Sequence, residues 1–167
     1  GHFATVISNC VVEHVRDHAE PLREIHRVLR PGGKYVFTTH SHLYGQYLFW
    51  YAAFTTLGLP RLAQWYADTV NRVFKHYTLL TPQEWTGLLQ DAGFRDVQVR
   101  FYLSRRAMWL FDLLLPMSLP SRLNKALWGR WAILPRRFLA ACETHLCKHI
   151  YREDPALGAG MCIEARK

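Results

Sequence analysis

The chain has 167 residues, half of them hydrophobic and 20% charged, which is the length of one domain with enough apolar material to bury a core. That composition excludes a disordered polyelectrolyte, and the formal charge of +8 biases the surface toward acidic ligands without naming one. Four cysteines, Cys10, Cys142, Cys147 and Cys162, do not make a disulfide scaffold at this size.

Reduced thiols in a cytoplasmic protein are therefore expected. The opening residues hold no basic stretch followed by an apolar one, so no secretion signal is expected either. The first element is a strand at Val6 and Ile7, a short apolar run that suits burial on both faces. Leu22, Ile25, Val28 and Leu29 share one helical face while Arg23, Glu24 and Arg27 point elsewhere, which predicts an amphipathic helix. Pro31-Gly32-Gly33 is expected to stop that helix, with glycine in the left-handed cap conformation. Tyr35 to Thr39 then reads as a second strand. Strand, crossover helix and strand in about thirty residues predict a βαβ unit with a parallel pair.

Ligands in open α/β sheets sit beyond the carboxyl ends of the strands. His40-Ser41-His42 follows the second strand at that place, and His40 and His42 are candidate general bases. From Leu43 to Leu59 no residue is charged and aromatics are dense, yet the run falls short of the ~20 apolar residues a spanning helix needs. A helix that lids a pocket, or one that dips into a membrane interface, fits it better. Arg61 to Tyr77 predicts another helix, so residues 43–77 form a helical cap insertion. Thr81-Pro82-Gln83-Glu84 is a capping-box start with proline at the first helical position. Trp85, Leu88 and Leu89 form that helix's buried face, and Gly93 ends it. Val97, Val99 and Phe101 then alternate along a third strand.

Residues 104–157 are too many for a loop without structure of its own, and they read as a second helical insertion. Met108 to Leu119 is strongly apolar apart from Asp112 and Pro116. Leu123 to Leu134 sets Trp128 and Trp131 among basic residues, and Phe138 to Tyr151 is helical in pattern. Such a stretch either lies on a membrane surface or packs as a cap against protein. Cys142, His145 and His149 share one face of the last helix, but the spacing is not that of a zinc finger and no metal is expected. Gly160 to Ala165 is a short apolar run compatible with a last strand.

The string VISNCVVEHV, followed by a helix ending RVLRPGGKYVFTT and later by Ala92-Gly93-Phe94, resembles the second half of a class I methyltransferase that uses S-adenosylmethionine. The resemblance departs at Phe3-Ala4, where the family usually has Phe-Asp. It implies an α/β fold, a partial Rossmann-like sheet holding strands four to seven of the family with helical cap insertions, all in a single domain over residues 1–167. It also implies that the last strand lies antiparallel between the two before it. Ser8, Asn9 and Cys10 would lie along the S-adenosylmethionine cofactor, with His14 of the Glu13-His14 pair beside them. Methyl transfer is an in-line displacement in which the protein mainly positions a nucleophile.

No Asn-Pro-Pro-Tyr type motif is present, so the expected acceptor is a small molecule or lipid-like compound and not nucleic acid. The family's Gly-rich loop and the acidic residue that ends its second strand are missing from this sequence. The chain thus reads as a fragment, inactive alone and a poor binder of the cofactor, awaiting a missing N-terminal half or a partner subunit. The competing expectation is a non-catalytic module that binds a partner or a membrane surface through residues 43–59 and 104–134.

Overall fold

The computed structural model of the chain describes residues 1–117 and 155–167 together with Lys125, Gly129 and Thr144. In chain order the elements are β1 (Phe3–Asn9), α1 (Ala19–Val28), β2 (Leu29–His40), α2 (Phe49–Thr56), α3 (Pro60–Val73), α4 (Pro82–Asp91), β3 (Arg95–Tyr102), α5 (Arg105–Leu114) and β4 (Gly160–Arg166). β1 and β2 run parallel, with Val6 opposite Tyr35 and Ile7 opposite Val36. The expected βαβ unit is therefore present. β4 pairs antiparallel with both β2 and β3, which gives the sheet order β1-β2-β4-β3, as the resemblance implied.

Two local expectations need correction. The first concerns Pro31-Gly32-Gly33, which lies inside β2 and does not cap α1. Leu29 already has extended backbone (φ −69°, ψ 139°) and is fully buried, because its side chain serves the sheet better than a further helical turn would. Gly32 takes its positive φ of 72° within a bulge, where two steps of β1 (Phe3 to Thr5) face five of β2 (Leu29 to Lys34). The second concerns β1, which is not covered on both faces. Ile7 is 75% exposed and Phe3 56% exposed, since β1 is the outer strand of the sheet and no described element packs over that side.

The main core lies where α1 and α4 cover the sheet. Leu22, Leu29, Tyr35, Phe37, Trp85, Leu89, Phe94 and Ile163 meet there. Tyr35 stacks on Phe37 at 4.7 Å, and Phe37 meets the edge of Trp85 at 5.1 Å, arrangements that add to the area buried. α4 begins with the expected capping box. The Glu84 amide donates to the Thr81 hydroxyl (3.3 Å) and the Thr81 amide to the Glu84 carboxylate (2.7 Å). Trp85 and Leu89 are buried as expected, and Gly93 ends the helix with φ 96°.

A smaller cluster gathers Tyr44, Tyr47, Leu48, Val70 of α3 and Met108 of α5. α2, α3 and α5 converge on Asp112, which has no exposed surface. Its carboxylate accepts the Trp50 backbone amide at 3.0 Å and the Tyr66 hydroxyl. α2 has no side-chain cap of its own, so Asp112 supplies one from a distant helix, where a negative charge also suits the positive helix end. Past α5 one turn of 3-10 helix runs from Leu115 to Met117. The expected helices at 123–134 and 138–151, with Cys142, His145 and His149, lie outside the described residues. Among the described residues no helix is long and apolar enough to cross a membrane.

Candidate functional site

The carboxyl ends of the parallel strands β1 and β2 form the corner where the chemically capable side chains meet. At the end of β1, Cys10 adopts a positive φ of 49°, and its amide donates to the Thr38 carbonyl (3.0 Å) and hydroxyl (3.2 Å). That turn leads into a short 3-10 segment, Val12–His14, which tucks Glu13 under the sheet end. Glu13 is fully buried, and its backbone carbonyl accepts the amides of Tyr77 (2.9 Å) and Thr78 (3.2 Å). Its side chain therefore has a fixed origin.

The Glu13 Oε1 atom stands 2.9 Å from His40 Nδ1. Neither atom completes an aligned hydrogen bond, so the contact is an electrostatic approach without the geometry of a full bond. Glu13 Oε2 takes only a long contact from the Thr39 hydroxyl, at 3.4 Å. Burial raises the Glu13 carboxyl pKa, but His40, the local backbone N–H and the charges of His40 and His14 outweigh it, so the net shift is below the ordinary carboxylate value. The group is a buried anion at neutral pH. Such groups are costly unless something opposes them.

His76, from the segment after α3, lies against His40 with ring centroids 4.5 Å apart, and Tyr44 packs at 4.6 Å from His40 and 4.8 Å from His76. Burial and the His40 charge hold the His76 pKa down at about 4, so this imidazole is neutral at physiological pH. Tyr102 brings its hydroxyl to 4.0 Å from the Cys10 sulfur, and desolvation with the neighbouring thiol raises its pKa. Beside His76 a cavity of about 510 Å³ opens, lined by Asp68, Asn71, Arg72, Lys75, His76 and Tyr77.

The two candidate bases part company. His40 joins Glu13, whereas His42 sits two residues further round the turn, on the side of the Glu84 carboxylate of α4. Of the residues aligned with the cofactor by resemblance, Asn9 is exposed and its side-chain oxygen accepts the Thr38 hydroxyl. Cys10 faces the corner, and Ser8, two residues before it, is half-buried. His14 is exposed and donates through Nδ1 to the Lys75 carbonyl (2.9 Å), which ties the 3-10 segment to the end of α3. His76, Tyr44 and Tyr102 were not singled out in the sequence. They stand 36, 4 and 62 positions from His40 and share no motif with it. The nearest signal was the helix predicted over Arg61–Tyr77, which contains His76; the structure ends that helix at Val73 and leaves His76 in the segment after it.

Residues 1–99 match the family described as a methyltransferase domain. No curated protein matches the chain. Among solved structures, a SAM-dependent methyltransferase from Thermotoga maritima aligns with 99% of this chain and 56% of its own, at 16% identity and a TM-score of 0.53. A phosphoethanolamine N-methyltransferase from Haemonchus contortus, in complex with phosphomonomethylethanolamine and S-adenosylhomocysteine, aligns with 99% of this chain and 33% of its own, at 17% identity and 0.48. A SAM-dependent methyltransferase from Archaeoglobus fulgidus aligns with 99% and 60%, at 12% identity and 0.49. At these identities the likeness to the Thermotoga protein shows the α/β fold. The chain spans between a third and about three fifths of the length of these structures.

Proposed function

This chain belongs to the methyltransferase-domain family, and on that premise we propose that it is the acceptor side of an S-adenosylmethionine-dependent enzyme acting on a small or lipid-like acceptor. The observation that carries this reading is the buried Glu13 carboxylate facing His40 at the carboxyl end of two parallel strands. In an open α/β sheet that is where a substrate meets its reactive groups.

The residues present fit the cofactor in part. Asn9 spends its oxygen on Thr38 and keeps its amide nitrogen for a ligand, and the turn at Cys10 exposes backbone at the end of β1. Ser8, Asn9 and Cys10 would hold the cofactor there, while His14, committed to Lys75, would contribute chiefly by fixing the loop. The Gly-rich loop and acidic strand end that hold the nucleoside have to come from a segment or subunit outside this chain. When bound, S-adenosylmethionine supplies a methyl group on a sulfonium leaving group.

The chain's own groups then do three things. Tyr44 and His76 wall the corner with apolar and neutral surfaces that exclude water and orient the acceptor. His40 accepts the proton that the acceptor's oxygen or nitrogen loses, and the Glu13 anion stabilises the imidazolium so formed. The cavity next to His76, with Arg72 and Lys75 on its rim, is the route by which an acceptor bearing a negative group would enter.

The test is methyl transfer from radiolabelled S-adenosylmethionine by this chain extended with the coding sequence upstream of Gly1, assayed against small amines, phenols and headgroup amines. Label in a small or lipid-extractable product is the expected result. A donor-binding protein that labels only nucleic acid or protein would overturn the reading.

A second reading has one observation behind it. Leu57, Leu59, Leu62, Trp65 and Val73 are exposed along α2 and α3, as a face that docks on a partner or a membrane surface would be.

A further inference from the structure

We propose that Cys10, Glu13 and His40 form a binding site for a divalent cation of the zinc type. Among the described residues these three are the group whose ligand atoms, one sulfur, one carboxylate oxygen and one imidazole nitrogen, all lie within 4.8 Å of one another. Zinc bonds of about 2.3 Å to sulfur and about 2.0–2.2 Å to nitrogen and oxygen place tetrahedral ligands roughly 3.3–3.7 Å apart. Small side-chain rotations therefore close the triangle.

A second, independent observation concerns Glu13. Its side chain has no exposed surface, yet Oε1 is aimed at the corner without an aligned hydrogen bond, and the facing His40 Nδ1 is equally unsatisfied. Buried polar atoms are normally paired, and an exception calls for an explanation such as an ion. A cation satisfies both atoms at once. It also removes the cost of keeping a carboxylate in a dry place.

The donor set selects the metal. A thiolate with an imidazole and a carboxylate suits zinc, cobalt or similar borderline ions and disfavours magnesium or calcium, which take oxygen ligands. Binding displaces the thiol proton of Cys10 to solvent. The surroundings supply outer contacts: the Thr38 hydroxyl (3.6 Å) and the Tyr102 hydroxyl (4.0 Å) approach the sulfur, and the Thr39 hydroxyl approaches Glu13. Such partners orient metal ligands. Three protein ligands leave a fourth position open, as in zinc sites that bind water or substrate. Metal binding does not depend on the methyl-transfer reading, but occupancy competes with the use of His40 as a proton acceptor.

Cobalt titration of the metal-stripped chain tests it, because thiolate–cobalt charge transfer gives a near-ultraviolet band and tetrahedral geometry gives strong visible bands. One equivalent should produce both, and zinc should abolish both by displacement. The charge-transfer band should vanish in Cys10→Ser, and zinc affinity measured against a chromophoric chelator should fall at least ~10-fold in Glu13→Gln and in His40→Ala. A Cys142→Ser/Cys147→Ser variant should behave as the parent, and circular dichroism of every variant should match it. Should Cys10→Ser fail to fold, Glu13→Gln and His40→Ala decide alone. Absence of the bands in the parent, their survival in Cys10→Ser, unchanged zinc affinity in both other variants, or their loss in the Cys142/Cys147 variant would overturn the proposal.

Discussion

Replacing Asp112 with alanine is expected to loosen the packing of α2, α3 and α5 against one another. The carboxylate is fully buried and satisfies two donors, the Trp50 amide in the first turn of α2 and the Tyr66 hydroxyl of α3. A buried donor left without a partner costs about 1–3 kcal/mol, so two of them cost about 2–6 kcal/mol. Loss of the negative charge near the α2 N-terminus adds about 0.3–1 kcal/mol. Water entering the vacated space would recover part of this sum, which places the expected loss at about 2–5 kcal/mol, against a typical domain stability of about 5–15 kcal/mol. Asp112→Asn keeps one acceptor oxygen and should lose roughly half as much. Tyr66→Phe removes a single donor and should cost about 1–2 kcal/mol. The double variant Asp112→Ala/Tyr66→Phe should be less destabilised than the two singles added together, because both remove the same bond. Urea unfolding followed by tryptophan fluorescence reads all four. A loss below about 1 kcal/mol for Asp112→Ala, or strict additivity in the cycle, would refute the idea that this carboxylate joins α2, α3 and α5.

Other consequences concern pH, the core and the exposed face. His18 is buried against Trp85 (centroids 4.9 Å), and desolvation lowers its pKa below the usual imidazole value. The unfolded chain therefore binds this proton more readily, so the stability His18 confers is complete above about pH 6.5 and declines as pH falls below it. Melting temperatures measured between pH 8 and 5 should show that decline, reduced in His18→Gln; an unchanged slope would exclude His18 as its source. Trp85→Ala, at a fully buried position, should cost about 3–5 kcal/mol in chemical denaturation, and less than about 1.5 kcal/mol would mean the core collapses around the gap. If the exposed face of α2 and α3 meets membrane, the chain should pellet with vesicles rich in phosphatidylserine and Trp65→Glu should reduce pelleting. Failure of the parent to pellet removes that reading.

The sequence exposed the parts of the fold that depend on local spacing. The face containing Leu22 and Ile25, the alternation at Tyr35 and Phe37, and the Thr81/Glu84 capping box each follow from neighbours a few residues apart. β4 was different, because Gly160–Ala165 has no pattern of its own and its position between β2 and β3 came from the resemblance. The end of α1 was misplaced because Pro31-Gly32-Gly33 fits a helix stop and a strand bulge equally well; the demand for Leu29 in the sheet decides between them. β1 was read as buried because apolarity records what a residue tolerates and not what covers it. The site was legible only in part. His40 followed from its place at a strand end, but its separation from His42 depends on how the turn after β2 rotates. Glu13 entered only as the neighbour of His14 in the resemblance, since nothing in the string shows that its carboxylate is buried beside an imidazole 27 positions away.

The central claim is that the acceptor surrenders its proton at the Glu13–His40 corner. The most direct measurement is the rate of methyl transfer at saturating donor and acceptor in the upstream-extended protein, compared with its His40→Ala variant, with donor affinity measured in parallel. A rate lower by about 10²–10⁴-fold with donor affinity unchanged is the predicted result. A variant that transfers methyl groups as fast as the parent contradicts the account.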